Sequence, residues 1–324
     1  MSADFTIKGA GVAGLCVATE LARRGARVRV LDPNGAPGAH GCSWWAGGML
    51  APDCEGEVAE EPVVRLGREA AAWWQAQGVE VTYKGSLVLA LGRDRQELDR
   101  FARRTENHRL LDRDALAELE PDLGERFGRA LFMDAEAHLN PRAALADLVT
   151  LLSEQGIEIS TGATEGQVID CRGLGARDSL TDLRGVKGEM VVLRAPDVSF
   201  DRPIRLLHPR FPLYIVPRGD GVFMLGATQL ESGERTRATV RSVMELLNTA
   251  YALHPAFGEA ELLEIGVDAR PAFPDNLPRI TSLNGTLYVN GLFRHGYLLA
   301  PAMAKMLADY VLDGNTPELW KDTA

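Results

Sequence analysis

Cysteine is scarce in this chain and follows no pattern. The four cysteines, Cys16, Cys42, Cys54 and Cys171, form no C-x-x-C pair, and none stands with histidine at metal-site spacing. A structural metal or a disulfide framework is therefore not expected, whereas reduced thiols in a cytoplasmic protein are. No apolar run approaches the roughly 20 residues that span a bilayer. The N-terminus leads straight into a short apolar strand, with no signal-peptide pattern before it. Positive charge is in deficit: 35 Lys and Arg against 45 Asp and Glu leave a formal net charge of -10. That balance disfavours nucleic acid and anionic membrane as partners. Internal repeats and low-complexity segments are lacking, and no Ser/His/Asp or Cys/His constellation is visible. His138, His208 and His254 are scattered and read as structural, while His295 stands apart because of its neighbours.

What is present begins with glycine. Gly9-Ala10-Gly11-Val12-Ala13-Gly14 has the pattern G-x-G-x-x-G. An apolar run precedes it, a helical pattern (residues 15–24) follows, Gly25 closes that helix, and a second strand (residues 27–31) ends on Asp32. This is the strand–turn–helix–strand unit of about 30 residues that a dinucleotide fingerprint requires. Gly9 permits the tight turn, Gly11 leaves room for a pyrophosphate, and Gly14 lets helix and strand approach. The helix N-terminus, with Val12 and Ala13 in its first turn, offers free N–H groups and a positive dipole end. Asp32, eighteen residues after Gly14, with Pro33 beside it, is placed to accept from a ribose. FAD and NAD fit this stretch equally.

A glycine-rich loop (residues 33–41) leads into Cys42-Ser43-Trp44-Trp45-Ala46-Gly47-Gly48-Met49, where paired glycines allow backbone close to a flat ligand. The pattern predicts one helix over residues 62–77, strands over 79–83 and 86–91, helices over 95–107 and 112–119, and a helix from Asn140-Pro141 to Gln155. Short strands follow at 157–160 and 167–170, the second running into a glycine turn. From Gly185 the chain is β-rich, interrupted by one helix (residues 237–253). Two arginines stand at strand ends, where ligands of α/β sheets bind: Arg270, in Asp268-Ala269-Arg270-Pro271, and Arg294, between Gly291 and Gly296. Either could hold a carboxylate through paired, charge-assisted bonds.

These motifs occur in a recognisable order. The turn at Gly9, Ala46-Gly47-Gly48-Met49-Leu50-Ala51-Pro52, Tyr214-Ile215-Val216-Pro217-Arg218, Gly226-Ala227-Thr228, Arg270-Pro271 and Phe293-Arg294-His295-Gly296-Tyr297-Leu298-Leu299-Ala300-Pro301 run over essentially the whole chain. In that order they resemble the D-amino-acid oxidase family of flavoproteins, nearest its glycine-oxidase branch. The resemblance implies an α/β fold: a Rossmann-like FAD-binding domain (residues 1–78, 138–184 and 277–324) and a mainly antiparallel β substrate domain (79–137 and 185–276).

It also implies non-covalent FAD, since no cysteine lies near Arg270 to Arg294. Gly9, Gly11, Val12, Ala13, Gly14, Asp32 and Pro33 would hold the ADP half, with Ser43, Gly47, Gly48 and Met49 on one side of the flavin ring. Leu292, Phe293, Arg294, His295, Gly296, Tyr297 and Leu298 would border its other end. Arg270 and Arg294 would face the substrate carboxylate, Arg294 being the preferred of the two, with Tyr214 and Gln229 nearby.

The implied reaction is oxidative deamination of glycine or another small amino acid. A hydride passes from Cα to flavin N5, dioxygen reoxidises the flavin to give hydrogen peroxide, and the imine serves thiamine thiazole synthesis. Positioning replaces a general base in this scheme. A cytoplasmic homo-oligomer is expected from the same resemblance. Three departures stand out: Gln229 where glycine oxidases carry methionine, Trp44-Trp45 in place of small residues, and a trimmed segment over residues 156–170. The alternatives are a D-amino-acid or sarcosine-type dehydrogenase or oxidase with a larger or more polar substrate, a non-catalytic flavin protein, and an NAD enzyme.

Overall fold

Phe5–Lys8 lies in the middle of a six-stranded sheet, where Phe5, Thr6 and Ile7 are buried, Ile7 fully so. It pairs in parallel with Val28–Leu31 on one side and Gln167–Asp170 on the other. Ile159–Ser160 extends the first edge, and Thr286–Asn290 followed by the antiparallel Arg279–Leu283 extends the second. A computed structural model describes the chain over residues 2–322, Pro209 and Phe211 excepted.

Helices Val12–Arg23, Pro141–Glu154 and Gly296–Asp313 share one core with this sheet, around Leu15, Val17, Leu145, Leu148 and Met303. Asn140 caps the second of them, its side chain accepting from Arg142 N at 3.0 Å, with Pro141 at the first position. Pro301 lies inside the third helix and cannot donate to Tyr297 O; that carbonyl instead accepts from the Trp74 indole at 2.9 Å. Gly314, with φ 77°, ends the helix in the left-handed conformation.

Among the described residues the second sheet has nine strands. Its spine is the long antiparallel pair Arg184–Arg194 and Glu261–Ala272, with a register shift between Val192 and Leu193. Val222–Gly226, Leu213–Pro217 and Ile204–Leu207 follow, then Ser86–Ala90, Arg129–Met133 and Arg109–Asp112. Helix Val240–Leu253 covers one face of this sheet, contributing Leu246, Ala250 and Leu253 to a core with Phe223 and Phe257. A two-strand ribbon, Met49–Leu50 with Ala137–His138, stands apart from both sheets.

Three local expectations change. Residues 62–77 form two helices, Glu61–Gly67 and Ala70–Ala76. The chain there lies against Leu298, so close that a Cβ on Gly67 would sit 2.8 Å from its side chain. Residues 79–83 make only an isolated bridge, Thr82 to His138. The strand that Arg270 was expected to close runs two residues further, to Ala272, because Glu261–Ala272 follows its partner Arg184–Arg194 to the end. Among the described residues no helix is long and apolar enough to cross a membrane, and no cluster of His, Cys, Asp and Glu could hold a metal ion.

Candidate functional site

A single cavity of about 1030 Å³ runs from the first glycine turn to the second sheet. Gly9 has φ 101°, and a Cβ there would lie 2.8 Å from Cys171 O. Gly14 does not line the cavity; a Cβ on it would lie 1.9 Å from Gly9 O, so its glycine lets the helix close on the turn. Gly11 caps helix Val12–Arg23 without a side-chain bond. Val12 N donates to Ser43 Oγ at 3.1 Å, and Leu15 N to Gly11 O at 3.0 Å. The N–H groups of Gly11 and Ala13 have no acceptor among the described residues. Two free donors at a positive helix end, with no Cβ over Gly11, make an anion cradle. Asp32 lies beside it, accepting from Ala10 N and Asn34 N at 2.9 Å each, with oxygen lone pairs left over for a ligand.

The middle of the cavity is a slot walled by backbone. Gly48, at φ 73°, has no room for a Cβ, which would lie 2.2 Å from Leu139 O. Arg218 is half-buried and donates to Gly47 O at 2.8 Å, Leu139 O at 3.2 Å and Ala46 O at 3.3 Å. Burial without a carboxylate partner pulls its guanidinium down to about 10. The segment from Leu292 to Leu298 also lines the cavity. Phe293 N is held by Pro271 O at 2.8 Å. The Tyr297 ring turns into the protein, and its hydroxyl donates to Ser43 O at 2.9 Å, so only its backbone is left for a ligand.

Among the described residues seven arginines line the cavity, and Arg172, Arg205, Arg235, Arg241 and Arg294 each have a carboxylate. Arg235 pairs with Asp268 through two bonds of 2.6 and 3.1 Å. Arg205 and Arg294 both pair with Glu55, at 2.9 and 2.6 Å, and His295 Nε2 meets the same carboxylate at 2.9 Å. Burial works to raise the Glu55 pKa, but Arg294, Arg205 and His295 together hold it well below the ordinary carboxylate range. Arg210, which is exposed, and Arg270 have none, and of the two Arg270 is the one held in a strand. Its guanidinium donates only to Thr228 O, at 3.3 Å, and meets no carboxylate among the described residues. Gly188 makes room for it, since a Cβ there would lie 2.3 Å from Arg270 Nη2.

Tyr214 stands close to Gly47 and Gly226, where a Cβ would lie 2.7 and 2.6 Å from its ring, and its hydroxyl has no partner among the described residues. The Gln229 side chain is exposed at the cavity and likewise unpaired. The arrangement offers a fixed cation and a phenol beside a flat slot, which suits a small carboxylate stacked on a planar group.

Every residue singled out in the sequence lines this cavity, apart from Gly14. Sequence reasoning missed Glu55, Arg205, Arg235 and Gly188, and it gave no role to Arg218, which stands in the Tyr214 motif. Glu55 and Arg205 are 150 residues apart, so no local pattern joins them. Glu55 does lie in the segment just after Ala46-Gly47-Gly48-Met49, and an acid so near a ligand-wall motif was the available signal.

Residues 4–310 match the family described as FAD dependent oxidoreductase, DAO. A Rhizobium etli protein provisionally named as the thiamine biosynthesis oxidoreductase ThiO is 54% identical over 94% of this chain and 95% of its own length. A glycine oxidase of Pseudomonas aeruginosa is 27% identical over 98% of this chain and 96% of its own. The crystal structure of glycine oxidase from Geobacillus kaustophilus superimposes with a TM-score of 0.82 at 25% identity, covering 97% of this chain and 95% of that one.

Proposed function

The chain belongs to the DAO family of FAD-dependent oxidoreductases, and on that premise we propose that it oxidises glycine, or another small amino acid, to the imine for thiamine synthesis. Bound FAD supplies the two-electron acceptor for the amine's Cα–H, and dioxygen takes the electrons on as hydrogen peroxide. The residues fit such a group: free N–H donors at Gly11 and Ala13 suit a pyrophosphate, Asp32 a ribose, and the Gly47-Gly48-Met49 wall a flat ring.

The observation that carries the substrate reading is the unpaired Arg270. Its fork takes the carboxylate bidentately and fixes the rotation of a two-carbon substrate. The Tyr214 hydroxyl offers a further donor to the same group. Glu55 already receives Arg205, Arg294 and His295, and it stays ionised, so it is a poor acceptor for a substrate proton. Oxidation that needs no protein base agrees with that. Arg294, preferred from sequence, is in this reading the counter-ion of Glu55, and its backbone borders the cofactor.

An anaerobic titration of the yellow protein with glycine, sarcosine and a panel of D-amino acids tests the proposal. Glycine is expected to bleach the flavin band, and peroxide is expected to form in proportion when air is admitted. Bleaching by a larger D-amino acid with glycine inert would remove the substrate assignment. That second outcome has one observation in its favour, the unpaired amide of Gln229.

A further inference from the structure

Behind the cavity wall lies a buried ion pair that the reading above does not use. Lys187 and Glu189, 4% and 0% exposed, stand two residues apart on strand Arg184–Arg194, with Nζ and Oε1 2.9 Å apart. Alternation along the strand puts both side chains on one face and Gly188 on the other, toward Arg270. Two charges withdrawn from water seldom stabilise a fold more than an apolar pair would, which directs attention to what the pair holds.

Glu189 holds Thr228. Thr228 Oγ1 donates to Glu189 Oε2 at 2.8 Å and accepts from Glu189 N at 2.8 Å, while Thr228 N donates to Glu189 O at 3.1 Å. The carbonyl of Thr228 is the acceptor for Arg270 Nη1. Glu189 Oε1 also accepts from Thr239 N at 3.0 Å, and Thr239 caps the helix that presents Ser242, Glu245 and Leu246 to the cavity. Lys187 Nζ donates to Arg237 O at 2.6 Å, just ahead of that cap. An ionised carboxylate only accepts, so it dictates the direction of every bond around it, the Thr228 hydroxyl included.

We infer that Glu189 is a positioning residue for the substrate-carboxylate arginine. Through Thr228 it fixes the carbonyl that aims Arg270, and through Thr239 it registers the helix on the same side of the cavity. The inference rests on the proposed role of Arg270.

The test compares Thr228→Ser, Thr228→Val, Glu189→Gln, the Thr228→Val/Glu189→Gln double variant and Arg270→Ala as FAD-loaded enzymes. KM and kcat are measured with the amino acid that bleaches the flavin, together with FAD retention. Thr228→Val and Glu189→Gln are each expected to raise KM about tenfold, the loss of one bond to a charged group, with kcat changed far less and FAD retained. Thr228→Ser keeps the hydroxyl and should match the parent. The double variant should be no worse than either single, because both cut one path. KM within twofold of the parent in Thr228→Val and Glu189→Gln would overturn the inference, as would equal losses in Thr228→Ser and Thr228→Val, or multiplying losses in the double. If Glu189→Gln does not fold, the Thr228 pair alone decides. Arg270→Ala separates the two levels. An unchanged KM there removes the carboxylate reading itself, whereas a large KM increase with silent Thr228 variants removes only the role of Glu189.

Discussion

Arg205, Arg235, Arg270 and Arg294 carry the same charge, and what each meets divides their work. A guanidinium already bonded to Glu55 or Asp268 has part of its charge neutralised and some of its donors taken, while Arg270 has only one long contact to a carbonyl. Arg270→Ala should therefore raise KM at least a hundredfold, the cost of a bidentate charge-assisted pair of about 3 kcal/mol, and leave FAD bound. Arg294→Ala should raise it less, because its first effect falls on Glu55. Steady-state KM for the two variants checks this, and the opposite ranking would exchange the roles of the two arginines. Arg270→Lys should recover only part of the loss, since an ammonium cannot bind with two parallel donors.

Among the elements, the glycines do unequal work. Gly25 and Gly48 both have positive φ, 85° and 73°. Nothing lies within 4 Å of a Cβ at Gly25, whereas one at Gly48 would run into Leu139 O. Gly25→Ala should then lower stability by about 1–2 kcal/mol, the cost of a left-handed non-glycine residue, and retain full FAD. Gly48→Ala has to move the wall of the slot, and should purify with much less FAD per chain. The flavin-to-protein absorbance ratio and Tm of both variants measure the difference; equal FAD content would mean that the Gly48 wall is not part of the cofactor site. Arg218 braces the same wall with three carbonyl contacts, so Arg218→Met should produce a similar loss of FAD.

For the molecule as a whole, buried carboxylates set how stability depends on pH. Burial raises Glu136 to about 7, with Ser86 Oγ and Cys54 N as its donors. Its folded form holds a proton that the unfolded chain has released, so its contribution to stability falls as pH rises from about 4.5 to about 7. Glu189 has the opposite sign. Burial opposes its charge, but Ser242, Lys187, Thr228 and Thr239 pull it down to about 2, and its contribution disappears as pH falls below about 4.5. Glu55 acts in the same direction as Glu189. His138 opposes Glu136: burial lowers it to about 4, so its contribution grows as pH rises to about 6.5. Tm of the parent should therefore stay nearly level over that range. Against Glu136→Gln, the parent should lose stability between about pH 5 and 7, where each pKa unit is worth about 1.4 kcal/mol. A Tm difference between the two that does not change with pH would place the titration elsewhere.

Much of this protein is written locally. The turn from Gly9 to Gly14 with Asp32 eighteen residues on, the cap at Asn140-Pro141, and the glycine stop at Gly314 each depend on neighbours in sequence, where backbone geometry leaves few choices. The arginine-bearing ends around Arg270 and Arg294 were legible for the same reason. The break between Glu61–Gly67 and Ala70–Ala76 was not, because the Leu298 side chain that lies against it comes from the other end of the chain. Nor was the division of labour between the arginines. Sequence marked Arg270 and Arg294; only the tertiary structure brought Arg205 and Arg235 to the same cavity and decided that Glu55 meets Arg205 and Arg294 while Arg270 remains unpaired. The physical reason is range: dihedral preferences and caps act within a few residues, whereas a carboxylate pairs with whatever cation the fold brings within about 4 Å, whatever the distance along the chain.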